Sequence, residues 1–198
     1  MSTIYFMFDS NKIISEYLDE SLELAKNQKE LSNIINEISK HCIKTIENGG
    51  KLIFMGNGGS ASDSLHLSAE LVGRFQKERN GLPAISLASN VSVITAIAND
   101  FGYENIFVKQ IEALGEKKDL IIGISTSGLS ENIINGLRYA KENGIKTIGM
   151  TGKDSNKMSE YCDYIINVPS SKPALIQQSH ITIGQLLCLL IEEYFFNK

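Results

Sequence analysis

The sequence has few of the features that mark secreted, membrane-bound or nucleic-acid-binding proteins. Its three cysteines, Cys42, Cys162 and Cys188, are widely spaced in apolar segments, which favours buried thiols in a reducing cytoplasm over a disulfide framework. The longest apolar run, Leu186 to Ile191, is too short to span a bilayer. The formal net charge of −4 gives no electrostatic reason to expect direct nucleic-acid binding. We therefore expect a cytoplasmic protein with no membrane span.

The order of the apolar segments predicts an α/β fold. At 198 residues, 42% of them apolar, the chain can form one compact domain with a substantial core. From Lys51 onward, short non-alternating apolar strands are separated by helices, which indicates a parallel sheet covered by helices on both faces. We predict a helical extension over residues 1–50 and a five-stranded domain over residues 51–198. The predicted strands are Leu52–Met55, Ala84–Leu87, Leu120–Ile124, Thr147–Met150 and Tyr164–Val168.

Helical periodicity predicts the elements between and around these strands. The extension contains two amphipathic helices, the first capped at Asp9 or Ser10. Their apolar stripes must be buried on the sheet or on a partner subunit, and the last helix, apolar nearly all round in its second half, must be buried in the same way. The helices of the second part are predicted near Asp63–Phe75, Val91–Ala98, Ile106–Leu114, Ser130–Glu142, Lys157–Tyr161 and Ala174–Phe196.

The strongest functional signal is the stretch from Ile53 to Glu70. A short strand turns through Gly56–Ser60 into a helix, and glycines followed by a helix N-terminus are typical of a phosphate-binding loop. The i, i+4 spacing places His66 and Glu70 on one face of that helix, where they could bind a metal or act as an acid/base pair. The sequence therefore predicts an anion site beside a possible metal or acid/base site.

The loop at Gly56–Ser60 has three other possible interpretations: a dinucleotide site, a nucleotide-binding P-loop and a plain connection. Gly56, Gly58 and Ala61 match the dinucleotide fingerprint, but no acidic residue follows the next strand to bind a ribose. No Gly-Lys-Ser/Thr closes the loop, which argues against a nucleotide-binding P-loop. A plain strand-to-helix connection would explain the glycines but not the pair of His66 and Glu70.

A second polar loop follows the strand that ends at Ile124. Residues Ser125 to Glu131 combine three serines and a threonine around one glycine and lead into a helix. Hydroxyl and backbone donors without a fixed positive charge suit a sugar phosphate better than a bare metal. In a parallel sheet, ligands bind beyond the carboxyl ends of the strands, where both loops are expected.

Together, several motifs resemble the sugar isomerase (SIS) domain of phosphoheptose isomerases. They are GNGGS at Gly56–Ser60, ANDFGY at Ala98–Tyr103, GISTSG at Gly123–Gly128 and IQQSHI at Ile176–Ile181, and the likeness covers nearly the whole chain. That family converts sedoheptulose 7-phosphate to D-glycero-D-manno-heptose 7-phosphate, an early step towards the heptose of lipopolysaccharide. Its members are tetramers that often carry zinc, so the resemblance implies a homotetramer with one zinc per subunit.

The resemblance also implies roles for individual residues. Glu70 matches the proposed base, which moves a proton between C1 and C2 through an enediol, a role that a carboxylate can fill. The implied zinc ligands are His66, Glu70, Gln177 and the residue at position 185. The implied substrate contacts are Asn57, Gly58, Gly59, Asn99, Asp100, Ser125, Thr126, Ser127, Ser130 and Gln177.

Position 185 departs from the family pattern. The family has a histidine there that serves as catalytic acid and metal ligand, whereas this chain has Gln185, which coordinates weakly and has no titratable proton. A sister group, the adaptors that bind the replication initiator DnaA, also lacks that histidine but tends to lose the metal-site glutamate, here kept as Glu70. The sequence favours an isomerase that is slow unless water or His180 supplies the acid, with a DnaA-binding adaptor as the alternative.

Overall fold

A parallel sheet with helices on both faces forms the centre of the computed structural model, which describes residues 8–154 and 157–197. Residues 1–7 of the predicted extension and residue 198 lie outside the described residues. Within the described chain the helices and strands are α1 (Ser10–Asn27), α2 (Ser32–Glu47), β1 (Leu52–Gly56), α3 (Gly59–Val72), β2 (Ala84–Ser86), α4 (Val91–Phe101), α5 (Ile106–Leu114), β3 (Leu120–Ile124), α6 (Glu131–Glu142), β4 (Lys146–Thr151), β5 (Tyr164–Asn167) and α7 (Pro173–Phe196). Short 3₁₀ turns lie at Gln28–Leu31, Tyr103–Asn105 and Met158–Tyr161.

Over the described residues, the sheet has five strands, all parallel, in the order β2-β1-β3-β4-β5. Alternate residues of β1 enter opposite cores: Leu52 and Phe54 pack with α2, α3 and α7, whereas Ile53 and Met55 pack with α5 and α6. The predicted fold class is therefore confirmed. Strand β2 lies on one side of β1, and β3 lies on the other side. The connections after β1 and β3 therefore diverge to opposite faces of the sheet, which opens a crevice at the carboxyl ends of these two strands.

The two leading helices are buried to different extents. Asp9 caps α1 as predicted, because its side chain accepts a hydrogen bond from the Lys12 N–H at 3.1 Å. Helix α2 packs into the core on one face of the sheet through Ile35, Ile38 and Cys42. Helix α1 buries Leu24 but leaves an apolar stripe exposed, formed by Ile13, Ile14, Tyr17, Leu18 and Leu22.

Helices α3 and α7 lie side by side and run in the same direction. The start of α3 at Gly59 meets Gln177, its middle at Leu67 meets Gly184, and the segment after it at Phe75 meets Glu192. The difference in residue number between contacting positions is therefore nearly constant along the two helices, as expected when they are parallel. By length and composition alone, α7 could cross a membrane, but half of its most apolar window is buried inside the protein.

Several predicted boundaries shift in the structure. Helix α3 begins at Gly59 rather than Asp63, because the glycine loop itself forms the first helical turn, and it ends at Val72 rather than Phe75. Helix α4 runs on to Phe101, three residues beyond the prediction. The predicted helix at Lys157–Tyr161 is a four-residue 3₁₀ turn. The three cysteines are free thiols: Cys42 and Cys188 are buried as predicted, whereas Cys162 is only half-buried. Desolvation raises the pKa of each thiol to about 12.

Candidate functional site

The two predicted loops meet at the crevice between β1 and β3. Gly56, the last residue of β1, is the register partner of Ile124, the last residue of β3, so Asn57 and Ser125 leave the sheet side by side. A pocket of about 250 Å³ opens beside them, lined by Asn57, Tyr103, Glu104, Ser130, Glu131 and Asn132. The predicted convergence of the two loops is therefore present in the fold.

Asn57 is held by two residues that sequence analysis did not single out. Its amide exchanges hydrogen bonds with the amide of Asn132, at 2.8 and 2.9 Å, and its Oδ1 also accepts from the Tyr103 hydroxyl at 3.0 Å. Asn132 is 2% exposed. Tyr103 could have been found from the family-like motif to which it belongs. Asn132 could not, because an asparagine at the second position of a helix usually indicates only that a helix begins.

The serine loop is folded around its own hydroxyl groups. Ser125 Oγ lies 3.0 Å from Ser130 Oγ and accepts from the Gly128 N–H at 3.2 Å, while Ser127 Oγ accepts from the Leu129 N–H. Gly128 has a φ of +64°, a conformation that other residues rarely adopt. Thr126 is anchored through its carbonyl, which accepts from the N–H of Gly152 at 3.1 Å. These contacts hold the predicted hydroxyl groups at the N-terminus of α6.

Glycine occupies both positions that open α3, for different reasons. Gly58 has a φ of +55° and serves as the N-cap, and neither residue adds a side chain above the loop. A β-carbon on Gly59 would lie 2.7 Å from the amide of Gln177, so this glycine leaves room for Gln177 to approach the backbone. The structure thus brings the predicted substrate residues Gly58, Gly59 and Gln177 together.

His66 and Glu70 form a direct contact on the exposed face of α3. His66 Nε2 lies 2.8 Å from Glu70 Oε1, and the side chains are 47% and 21% exposed. One turn earlier, burial raises the pKa of Asp63 to about 6, although nearby His66 lowers it. The Oδ2 atom of Asp63 is buried and has no hydrogen-bond partner in the described chain. The predicted pair is therefore present, with a desolvated carboxylate close to it.

The predicted zinc ligands do not all lie at one level of the helix pair. Gln185 follows Gly184, which packs on Leu67, so Gln185 is level with the turn between His66 and Glu70, whereas Gln177 is level with Gly59. Eight residues of helix separate the two glutamines by about 12 Å. The described chain contains no cluster of three or more His, Cys, Asp or Glu side chains suited to a metal. His66 and Glu70 fit zinc as two ligands, and any further ligand from the predicted set is a weak amide.

His180 does not face the open site. It is fully buried, and its Nε2 lies 3.3 Å from the carbonyl oxygen of Thr151 at the end of β4. Burial lowers the pKa of His180 to about 4, although the bond to Thr151 raises it. The expectation that His180 could replace the missing acid is therefore wrong, because α7 turns this residue towards the sheet.

Asn99 and Asp100 lie in the last turn of α4, both exposed. Asn99 Nδ2 donates to Asp100 Oδ1 at 2.8 Å. The chain then passes through Gly102 to Tyr103, whose hydroxyl reaches Asn57. The two residues thus stand three to four positions before a residue that lines the pocket, and their predicted contact with substrate stays a prediction.

Known proteins resemble this chain over most of its length. The sequence model of the SIS domain matches residues 16–152. The phosphoheptose isomerase of Nitratiruptor sp. is 48% identical over 180 residues, covering 87% of this chain and 96% of the relative. The solved phosphoheptose isomerase from Francisella tularensis has a TM-score of 0.90 at 34% identity and covers 94% of this chain and 100% of its own. That from Neisseria gonorrhoeae has a TM-score of 0.88 at 32% identity, covering 93% and 100%.

Proposed function

Because the chain belongs to the SIS-domain family, and within it to the phosphoheptose isomerases, we propose that it interconverts sedoheptulose 7-phosphate and D-glycero-D-manno-heptose 7-phosphate for lipopolysaccharide heptose synthesis. The observation that carries the proposal is the position of Glu70. This partly exposed carboxylate lies on the helix that begins at the glycine loop, and that loop shares its crevice with the serine loop.

The serine loop binds the phosphate group of the substrate, and the glycine loop contacts its sugar. Ser125, Thr126, Ser127 and Ser130 offer hydroxyl and backbone donors at the N-terminus of α6, where an anion is favoured, and they take the phosphate. Asn57, Gly58, Gly59 and Gln177 line the sugar, with Asn99 and Asp100 as further contacts.

Glu70 is the base of the isomerisation. Its carboxylate removes the proton from C1 of the ketose, the electrons of that C–H bond form an enediol, and the same proton returns to C2 to give the aldose. The O1 hydroxyl must also lose its proton and O2 must gain a proton. A second group, besides Glu70, is needed to carry out this transfer between the oxygens. His66 holds Glu70 in place through the 2.8 Å contact.

We assign a weak zinc site to His66 and Glu70, with the amide oxygen of Gln185 as a further ligand at their level of the helix pair. Gln177 is level with Gly59, about 12 Å from Gln185 along α7, and stays only a predicted ligand. Bound zinc would supply polarisation of the substrate's carbonyl oxygen. Gln185 cannot donate a titratable proton, and His180 is buried, so water is left to transfer the proton to oxygen. Loss of a positioned general acid costs about 10²–10⁴-fold in rate, and we therefore propose a slow isomerase.

The test is a product assay with sedoheptulose 7-phosphate, with and without added zinc. Glu70→Gln keeps the size of the side chain and removes the base, so turnover should fall by about 10²–10⁴-fold. Glu112→Gln on the surface of α5 is the matched control and should leave turnover unchanged. The proposal fails if neither wild type nor Gln185→His isomerises the sugar while wild type binds DnaA in a pull-down. The relatives found are isomerases, which favours the enzyme over the adaptor.

We further propose a cytoplasmic homotetramer in which α1 and α7 form subunit contacts. The support is the exposed apolar stripe of α1, which includes Ile14, Leu18 and Leu22, together with exposed Leu186 and Tyr194 on α7. Light scattering should report about four times the chain mass of 21.9 kDa. Leu18→Lys should shift that mass downward, and a monomeric wild type at micromolar concentration would refute the assembly.

A further inference from the structure

The buried amide of Asn132 has only one possible orientation. Its Oδ1 accepts the backbone N–H of Ile133 at 2.9 Å, and an N–H can face only the oxygen of an amide. The side chain is 2% exposed, so a reversed amide would set two donors against each other out of contact with water. The backbone of α6 therefore determines which end of Asn132 faces Asn57.

This orientation determines the orientation of Asn57 in turn. Asn132 Oδ1 can meet only the Nδ2 of Asn57, at 2.8 Å, and Asn132 Nδ2 then donates to Asn57 Oδ1 at 2.9 Å. The Tyr103 hydroxyl donates to the same Oδ1 at 3.0 Å, which occupies both of its lone pairs. One N–H of Asn57 remains, and it is the only hydrogen-bonding capacity this side chain can offer a ligand.

We propose that Asn132 and Tyr103 are positioning residues that turn Asn57 into an obligate hydrogen-bond donor towards the bound sugar phosphate. The inference rests on the proposed isomerase function. Asn57 can then recognise only an oxygen with a free lone pair, and it favours the electron-rich oxygen that forms when C1 loses its proton. A donor held in advance stabilises developing charge without reorganisation, so the effect should fall on kcat more than on KM.

A double-mutant cycle tests this, because positioning residues act only through their target. Asn57→Ala should lower kcat/KM for sedoheptulose 7-phosphate by about tenfold to a hundredfold, and Tyr103→Phe by about threefold to tenfold. In the Asn57→Ala background, Tyr103→Phe should have no further effect. Asn132→Asp keeps the oxygen that accepts from Ile133 and Asn57 but cannot donate to Asn57 Oδ1, and it should lower kcat/KM at least as much as Tyr103→Phe.

Controls separate this role from a merely structural one. Tyr103 is more than half exposed, so Tyr103→Phe should fold even if a variant of buried Asn132 does not. Tyr164→Phe removes a hydroxyl bonded to His41 Nε2 at 2.7 Å, at the start of β5 and away from the crevice, and should leave kcat and KM unchanged.

The outcomes distinguish this inference from the proposed function. Additive losses in the cycle, or a loss confined to KM, overturn the inference while the isomerase stands. If wild type does not turn over sedoheptulose 7-phosphate but binds it, the same cycle measured by calorimetry decides, and additivity in Kd overturns the inference. A wild type that neither converts nor binds the sugar refutes both.

Discussion

Glu192 should contribute more to stability than any exposed charge of this protein. Its side chain is fully buried near the end of α7 and accepts hydrogen bonds from the backbone N–H groups of Phe75, Gln76 and Lys77, at 3.1, 2.8 and 3.0 Å. It also accepts from Arg79 Nε at 2.7 Å, and the Arg79 side chain is 1% exposed. Glu192→Gln therefore leaves a buried guanidinium without its counter-charge.

The expected loss follows from that burial. Breaking a buried ion pair by removing one partner costs about 3–5 kcal/mol, a large part of the about 5–15 kcal/mol that stabilises a typical domain. The guanidinium also donates to the carbonyl oxygens of Glu70 and Leu71, each at 2.9 Å. These carbonyls lie in the last turn of α3, where no backbone N–H of the helix can reach them. Glu192→Gln should therefore also loosen the turn that carries Glu70 and lower turnover.

Urea unfolding at a fixed chain concentration measures the loss, because the proposed assembly would make stability depend on concentration. Glu193→Gln is the matched control: the neighbouring carboxylate pairs with Lys77 at 2.8 Å on the surface, a contact worth about 0–1 kcal/mol. A loss for Glu192→Gln no larger than that of Glu193→Gln would refute the argument.

The same network predicts a pH dependence. Burial raises the pKa of Glu192, but the hydrogen bonds from Gln76, Arg79, Phe75 and Lys77 outweigh it, and the pKa is lowered overall. A carboxylate with a lowered pKa in the folded state stabilises above its unfolded pKa of about 4.3, and this contribution is lost as the pH falls through the folded value. The stability gap between wild type and Glu192→Gln should therefore narrow below about pH 4.

Three further predictions concern the site and its surroundings. His180 has a pKa of about 4 when folded and about 6.5 when unfolded, so the unfolded chain takes up a proton that the folded chain does not, and the free energy of unfolding should fall by about 3 kcal/mol between pH 6.5 and 4. Equal pH slopes in urea unfolding of His180→Gln and wild type would contradict this. Ser125→Ala with Ser127→Ala should weaken sugar-phosphate binding by about 1–3 kcal/mol in calorimetry, with Ser171→Ala as the unaffected control. Gln185→His should raise turnover in the product assay, by up to about 10²–10⁴-fold, and an unchanged rate would show that the acid is not limiting.

Periodicity predicted the fold because each strand and helix carries its own signal. The five strands are short apolar runs, and burial on both faces leaves no alternation, as seen in β1 and β3. The start of α3 was missed by four residues because glycine is a poor helix former, whereas here Gly59 is helical to let Gln177 approach. Local propensity could not predict that tertiary requirement.

The sequence indicates the parts of the candidate site that lie in contiguous loops. It does not indicate the parts that depend on contacts between distant segments. The glycine and serine loops are recognisable from their composition, and His66 and Glu70 from their spacing. Asn132 was missed because its role depends on Asn57, 75 positions earlier in the chain. Spacing along α7 could not show that β4 lies against His180, because that contact joins segments 29 positions apart.

Helix α3 is held at its two ends and along its inner face, which leaves its outward face open. At the N-terminus, Gly59 is packed under Gln177; beyond the C-terminus, Arg79 and Glu192 hold the last carbonyls and the following loop. Between these points the outward face carries His66, 47% exposed, and Glu70, 21% exposed, so the proposed base can be reached from solvent. The helix is therefore held by α7 and by the sheet beneath its inner face, where Leu67 and Leu71 are buried and Ser64 Oγ lies 2.7 Å from Ser86 Oγ. Substitutions at either end, more than 10 Å from Glu70 along the axis in the case of Gly59, should for this reason alter catalysis through the orientation of the helix.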